Sequence, residues 1–257
     1  MTTNCCDISI ESLIPDKLYL DKNIYRSKVK SREKYKWKVV YKYSDILISS
    51  DSYIKDRVEK PLREIYKLLE FCIEKDPSFL KSLSPVRIKS YFPEIIKKMC
   101  EKSAIFNVGP MATVAGAVCE YLAANLNKYC SQLIIENGGD VYIKSKRDIN
   151  VGVYLKNKYF KDRINLKIKR GNTPYGLCSS SGSFGHSLSL GKSDLVVVLA
   201  ESTISADGAA TAVANSISSH ADISKAINHY KKVNDIEGIL IVKDSKIGLW
   251  GSLELIE

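Results

Sequence analysis

LVVVLAESTISADGAATAVANS (residues 195–216) joins six apolar residues to a stretch in which most side chains are small. LVVVLA has the length and composition of a buried strand bounded by polar residues. Beyond it, SADGAATA (205–212) sets one carboxylate, Asp207, among glycine and alanine, just ahead of a helix expected to run to about Ser216. Small residues let another backbone come close, so this charge stands where tight packing is expected. Thr211 follows at i+4 and shares a helix face with Asp207. Two oxygen donors at that spacing can hold a hard cation such as Mg²⁺. The competing reading is that an acid favours the first turn of its own helix, where it meets unpaired N–H groups and the dipole. On spacing alone that plainer reading is the stronger.

Working outward, GPMATVAGAVCEYLAANL (109–126) reads as a helix starting at Pro110, with Ala112, Ala115, Gly116 and Ala123 forming a small face. Two small-faced helices are expected to pack together and to bring both N-termini toward one anionic ligand. QLIIENGGDVYIK (132–144) reads as two strands joined at Asn137-Gly138-Gly139, because both glycines tolerate positive φ. GLCSSSGSFGHSLSLGKSD (176–194) reads as a glycine- and serine-rich loop leading into LVVVLA. Its backbone N–H groups and Ser179, Ser180, Ser181 and Ser183 offer donors of the kind anion-binding loops use. No G-K-[ST] closes it, so it is not a phosphate loop. His186 can exchange a proton near neutrality, and Cys178 is a candidate thiolate set against the plainer reading of a small core residue.

Residues 54–75 carry Leu62, Ile65, Leu68, Leu69 and Cys72 or Ile73 at helical spacing, with Pro61 suited to the first turn. A proline-punctuated connector leads to a short helix near 94–102. VGVYL and NLKIKR read as further strands, and GILIVKDSKIGLW as a closing hairpin. In YRSKVKSREKYKWKVVYK (25–42), Trp37, Val39, Tyr41 and Tyr43 alternate with Lys36, Lys38 and Lys42, as in an amphipathic hairpin. Strands mostly joined by short turns, without regular strand–helix alternation, predict an α+β fold with largely antiparallel β-sheets and helices packed on them.

Composition narrows the function. The 257 residues are 45% hydrophobic and 26% charged, ordinary for a soluble globular chain, and enough for a full core. The net charge of +10 raises a nucleic-acid surface, but lysine is spread along the chain, so a nucleic-acid partner is disfavoured. Seven cysteines form no C-x-x-C pair and only three histidines are present, which points to reduced thiols rather than a zinc or redox centre. No transmembrane run and no signal core is evident, so the expectation is a cytoplasmic protein. With no linker in view, residues 1–257 are expected to form a single domain, a basic hairpin and helices over 1–104 preceding a motif-bearing region over 105–257.

In this order, GPMATVAG, ENGGD, CSSSGSFGHSLSLGKSD and SADGAATA resemble four motifs of the ApbE-type flavin transferase superfamily: G-G-I-A-K-G, N-x-G-G-D, A-T-S-G followed by His, and A-D-A-L-A-T-A. The resemblance covers residues 105–217. It implies an α+β fold on antiparallel sheets, binding of FAD with Mg²⁺, and either transfer of FMN to a threonine of an acceptor protein or hydrolysis of the dinucleotide. It implies Asp207 and Thr211 as metal ligands with the Ala112 carbonyl as a third, and Asn137, Gly138, Gly139 and Asp140 lining the nucleotide pocket. Ser179, Ser180, Ser181, Gly182, Ser183 and His186 would face the substrate, His186 as the proton-transfer group. Thr113 stands where the family usually has lysine, and SLSLGKS replaces a His-Asp-Pro continuation. Without a leader, the chain is similar to a cytoplasmic, poorly characterised ApbE-like branch common in anaerobes and archaea. Relatives there are linked to sulfide assimilation toward homocysteine. That leaves two alternatives, a sulfur-pathway accessory with Cys178 carrying persulfide and a non-catalytic flavin- or nucleotide-binding subunit.

Overall fold

The computed structural model describes residues 33–155, 157–160, 163–169, 174–181 and 191–256. Strands β1 (Tyr35–Tyr41) and β2 (Ser44–Ser50) form the first hairpin. Helix α1 (Glu59–Lys75) follows a short 3-10 turn, then α2 (Ser78–Lys81) and α3 (Glu94–Ile105). A 3-10 turn over Pro110–Thr113 leads into α4 (Val114–Leu126). Next come β3 (Leu133–Asn137), β4 (Asp140–Lys144), β5 (Ile149–Tyr154), β6 (Arg163–Ile168), β7 (Tyr175–Ser180) and β8 (Leu195–Ala200). Helices α5 (Thr203–Asn215) and α6 (Asp222–Tyr230) precede β9 (Ile236–Lys243), β10 (Lys246–Gly251) and β11 (Leu253–Ile256).

Eight strands make one sheet in the order β1-β2-β3-β4-β7-β8-β9-β10, and β11-β6-β5 make a second of three. Every described pairing is antiparallel. The α+β expectation therefore holds. LVVVLA does not alternate because both faces of β8 are covered: Val196, Val198 and Ala200 pack with the α5 side chains Ala206, Ala209 and Val213. Leu195, Val197 and Leu199 pack with Leu166, Ile168 and Leu253 of the small sheet. A third cluster sets α1, α3 and α4 on Ile46, Ile48, Leu133 and Ile135.

Several boundaries differ from the sequence reading. The first hairpin pairs 35–41 with DILISS rather than folding within 25–42, and the part of that stretch before residue 33 lies outside the described residues. Tyr43 leaves the alternation because the chain turns at Lys42, whose φ is +49°, so Tyr43 is exposed while Trp37, Val39 and Tyr41 face the helices. α3 runs three residues beyond 102 and ends at Asn107, whose φ is +53°. There Val108 N donates to Ser103 O and Asn107 N to Ala104 O, a left-handed helix stop. Among the described residues no single helix is long and apolar enough to cross a membrane.

The small faces meet as expected. A Cβ on Gly116 of α4 would lie 2.3 Å from the Thr203 carbonyl oxygen and 3.0 Å from Asp207 Cβ. Backbone cannot step aside as a side chain can. Gly116→Ala is therefore expected to cost about 1–3 kcal/mol of stability by overpacking. The check is a lower urea midpoint at unchanged m-value.

Candidate active site at the crossing of α4 and α5

Each of the two helices supplies a carboxylate to the start of the other. α5 begins at Thr203, with Ser202 Oγ accepting from Ser205 N. Glu120 of α4 accepts from Ser202 Oγ at 2.7 Å and from Ile204 N at 3.4 Å. In return, Asp207 Oδ2 accepts from Gly116 N at 2.9 Å. Gly116 is the third residue of α4, one of the amides a helix start leaves without an intrahelical partner. Asp207 thus lies in the second turn of its own helix, which starts four residues earlier than expected, and it serves the dipole of the neighbour. The expectation that both helix starts open on one anion is corrected as well, because Glu120 already occupies the α5 start.

Asp140 approaches from the sheet. Gly138 and Gly139, with φ of +68° and +107°, close the two-residue turn that sets Asp140 opposite Asn137. β4 pairs with β7, which brings Cys178 and Ser179 alongside, and Ser179 Oγ donates to the Gly139 carbonyl at 3.2 Å. Cys119 Sγ donates to the Asp140 carbonyl at 3.6 Å. Cys119 stands one helical turn after Gly116, so the Asp207 carboxylate and the Asp140 backbone contact α4 at points about one turn, ~5 Å, apart along its axis.

The electrostatics are unbalanced. Burial pushes the Asp140 carboxyl up to about 7, with help from Glu136, against hydrogen bonds from the Cys178 thiol and the Ser179 amide. Burial first, then the charge of Asp140, holds Asp207 well above the usual carboxylate range, although the Gly116 and Ala115 amides favour its ionised form. Asp140 Oδ1 is buried without a hydrogen-bond partner. Among the described ion pairs, no lysine or arginine reaches either acid. A divalent cation fits this donor set, since it would supply the missing charge and let both acids ionise. Among the described residues no group of three or more His, Cys, Asp or Glu side chains is placed to hold a metal ion, so a cation would draw on other oxygens too.

The other sequence-predicted residues divide. Thr211 follows Asp207 by one turn and is buried, and Ala112 lies half-buried in the 3-10 turn before α4. Asn137 is buried at the end of β3, its Nδ2 donating at 3.4 Å to Ser44 Oγ, which Tyr66 OH also reaches at 2.8 Å. Cys178, Ser179 and Ser180 belong to strand β7 rather than to a loop, because pairing with β4 and β8 claims their backbone. Ser180 Oγ is buried and unpartnered, and Ser181 is half-buried at the strand end. Gly182, Ser183 and His186 lie outside the described residues.

Cys178 is corrected as a nucleophile. Its thiol is fully buried, with its one proton shared between the Thr203 carbonyl at 3.5 Å and the Asp140 carboxylate. Burial, and then Asp140 and Asp207, push it well above the ordinary thiol value, the reverse of thiolate activation. Glu120, Ser44, Tyr66 and Cys119 escaped the sequence reading. Glu120 carried a signal, since it is the lone acid in VAGAVCEYLAANL, as Asp207 is in SADGAATA.

A family model described as AbpE bacteria matches residues 26–246. The chain belongs to this ApbE-like family. The UPF0280 protein MJ1526 of Methanocaldococcus jannaschii is 36% identical over 226 residues, covering 85% of this chain and 91% of that one. The UPF0280 protein of Methanobrevibacter smithii is 37% identical over 207 residues, covering 77% and 86%. Among solved structures, the flavin transferase ApbE from Vibrio cholerae superposes with a TM-score of 0.55 at 14% identity, over 85% of this chain and 96% of that one. The flavinyl transferase ApbE of Pseudomonas stutzeri gives 0.56 at 10%, over 85% and 94%. These structural likenesses carry the ApbE fold.

Within the ApbE-like fold, the departure at Thr113 gains a physical reason. Thr113 is fully buried, donates to the Pro110 carbonyl at 2.7 Å, and sits with Cγ2 3.0 Å from where a Gly208 Cβ would be. The position faces the α4–α5 seam.

Two outcomes test these surroundings. Cys178 and Cys119, both buried, should resist iodoacetamide in the native protein and react only on unfolding. The acid cluster predicts a pH signature in metal-free buffer. A carboxyl whose folded pKa is raised stabilises the fold fully below its unfolded value of about 3.9, and that contribution is lost as pH rises through about 7. The stability of Asp140→Asn minus that of the wild type should therefore climb across this window and flatten above it, as read from urea midpoints.

Proposed function

We propose that this ApbE-like chain binds a flavin dinucleotide by its pyrophosphate beside Asp207 and acts on the phosphoanhydride, with Mg²⁺ as cofactor. Asp207, Thr211 and the Ala112 carbonyl would hold the cation. The observation that carries the reading is the pair of unmatched carboxylates, Asp207 and Asp140, at the crossing of α4 and α5 in a chain of this fold. When bound, a divalent cation neutralises phosphate oxygens and draws charge from the bridging oxygen.

The remaining roles fall to the chain. Asn137, Gly138 and Gly139 line the nucleotide side, and the small residues at the turn let a ligand come near the backbone. Ser179, Ser180 and Ser181, with Gly182 and Ser183 beyond them, offer donors to phosphoryl oxygens. In the reaction, the bond between the FMN phosphorus and the bridging oxygen breaks and AMP leaves with that oxygen. A new P–O bond forms to an acceptor hydroxyl, either a protein threonine or water. His186 is the group proposed to take the hydroxyl proton.

A second reading, flavin binding without turnover, is favoured by Thr113, which leaves the family's usual lysine position without a cation. Release of AMP and FMN from FAD separates the two readings. The deciding test of the site uses Asp207→Asn, because the amide keeps an oxygen for Gly116 N where alanine would uncap α4. Calorimetric FAD affinity should depend on Mg²⁺ in the wild type and weaken at least about tenfold in the variant, with a native melting profile. Undiminished Mg²⁺-dependent binding by Asp207→Asn would overturn the reading.

A further inference from the structure

We propose that Asp140 is a second carboxylate ligand of the cation held at Asp207, so that this chain binds a divalent ion before any nucleotide arrives. The inference rests on the cation site proposed above and adds a ligand to it. Three observations on separate elements support it. Asp140 Oδ1 is buried with no hydrogen-bond partner, while Cys178 and Ser179 engage the same carboxylate. A buried acceptor without a donor is costly, and an ion is one way to satisfy it. The Asp207 carboxylate, through Gly116 N, and the Asp140 backbone carbonyl, through Cys119 Sγ, meet α4 at points about one turn apart. Finally, the two-residue glycine turn and the Ser179–Gly139 bond fix the backbone from which the buried Asp140 side chain extends.

Charge supplies the consequence. A single carboxylate with a hydroxyl and a carbonyl is a weak anchor, which a nucleotide's phosphates must complete. Two carboxylates cancel the charge of a divalent ion without help, and affinity in oxygen-ligand sites follows the number of charged ligands. Metal binding by the nucleotide-free protein is therefore expected, and both acids are required for it.

The experiment titrates Mn²⁺ into nucleotide-free protein by calorimetry, comparing wild type, Asp140→Asn and Asp207→Asn, each checked for native circular dichroism. Both variants should weaken Mn²⁺ binding by at least about tenfold. Weakening in Asp207→Asn alone would sink the role of Asp140 and leave the Asp207 site standing. Unchanged binding in both would remove the site itself. Should Asp140→Asn fail to fold, the wild type labelled with ¹³C at the aspartate carboxyl carbons is titrated with Mg²⁺. The Asp140 and Asp207 resonances should then move along one saturation curve, and a stationary Asp140 resonance overturns the proposal.

Discussion

The exchange of carboxylates between α4 and α5 is the constraint on which the rest of the site depends. A helix start presents amides that must find acceptors, and a buried start cannot find them in water. Here Glu120 serves the Ser202–Ile204 end and Asp207 serves the Gly116 end, and both bonds require the backbones to approach as closely as Gly116 permits. The acid that looked misplaced among glycine and alanine is therefore in the one setting that suits it. Small neighbours bring another helix's donors within its reach.

The sheet completes the arrangement from the other side. β8 is buried on both faces, so the eight-stranded sheet has one side for helices and one for the three-stranded sheet. α5 is pressed onto β7, where a Cβ on Gly176 would fall 2.4 Å from Thr203 Cα. That contact carries the start of α5, with Asp207 one turn behind it, against the strand that flanks Asp140. Lys102 and Ser205 both bond Asp235, which ties α3, α5 and the approach to β9 at the same helix end. Position at the site thus follows from packing several residues away.

Much of this was legible in the chain. The apolar run 195–200, the Asn137–Asp140 hairpin and the small faces of α4 and α5 follow from period and side-chain size, which act locally. The start of α5 was misplaced because Thr203 and Ser205 read as loop residues, and their helical state is stabilised by Glu120, 82 residues from Ser202 in sequence. Cys178 to Ser180 open a serine- and glycine-rich cluster, the composition of a loop; pairing on both edges with β4 and β8 overrides that signal. The Ser44–Tyr66–Asn137 contacts join three elements and have no local signature at all.

The charge balance of the proposed function turns on what stands at residue 113. A dinucleotide pyrophosphate brings negative charge to a place that already holds Asp140 and Asp207, and repulsion among them in a partly buried setting would exclude it. The amides at the α4 start are no remedy, because Asp207 has taken the one at Gly116. Thr113, sealed in the seam and bonded to Pro110, brings no cation either. Among the described residues, nothing in the chain's own side chains at this crossing offsets the acids. A reading in which phosphate binds there therefore needs positive charge beyond the described side chains at this crossing, and a divalent ion between carboxylate and phosphate oxygens would supply it with a single species.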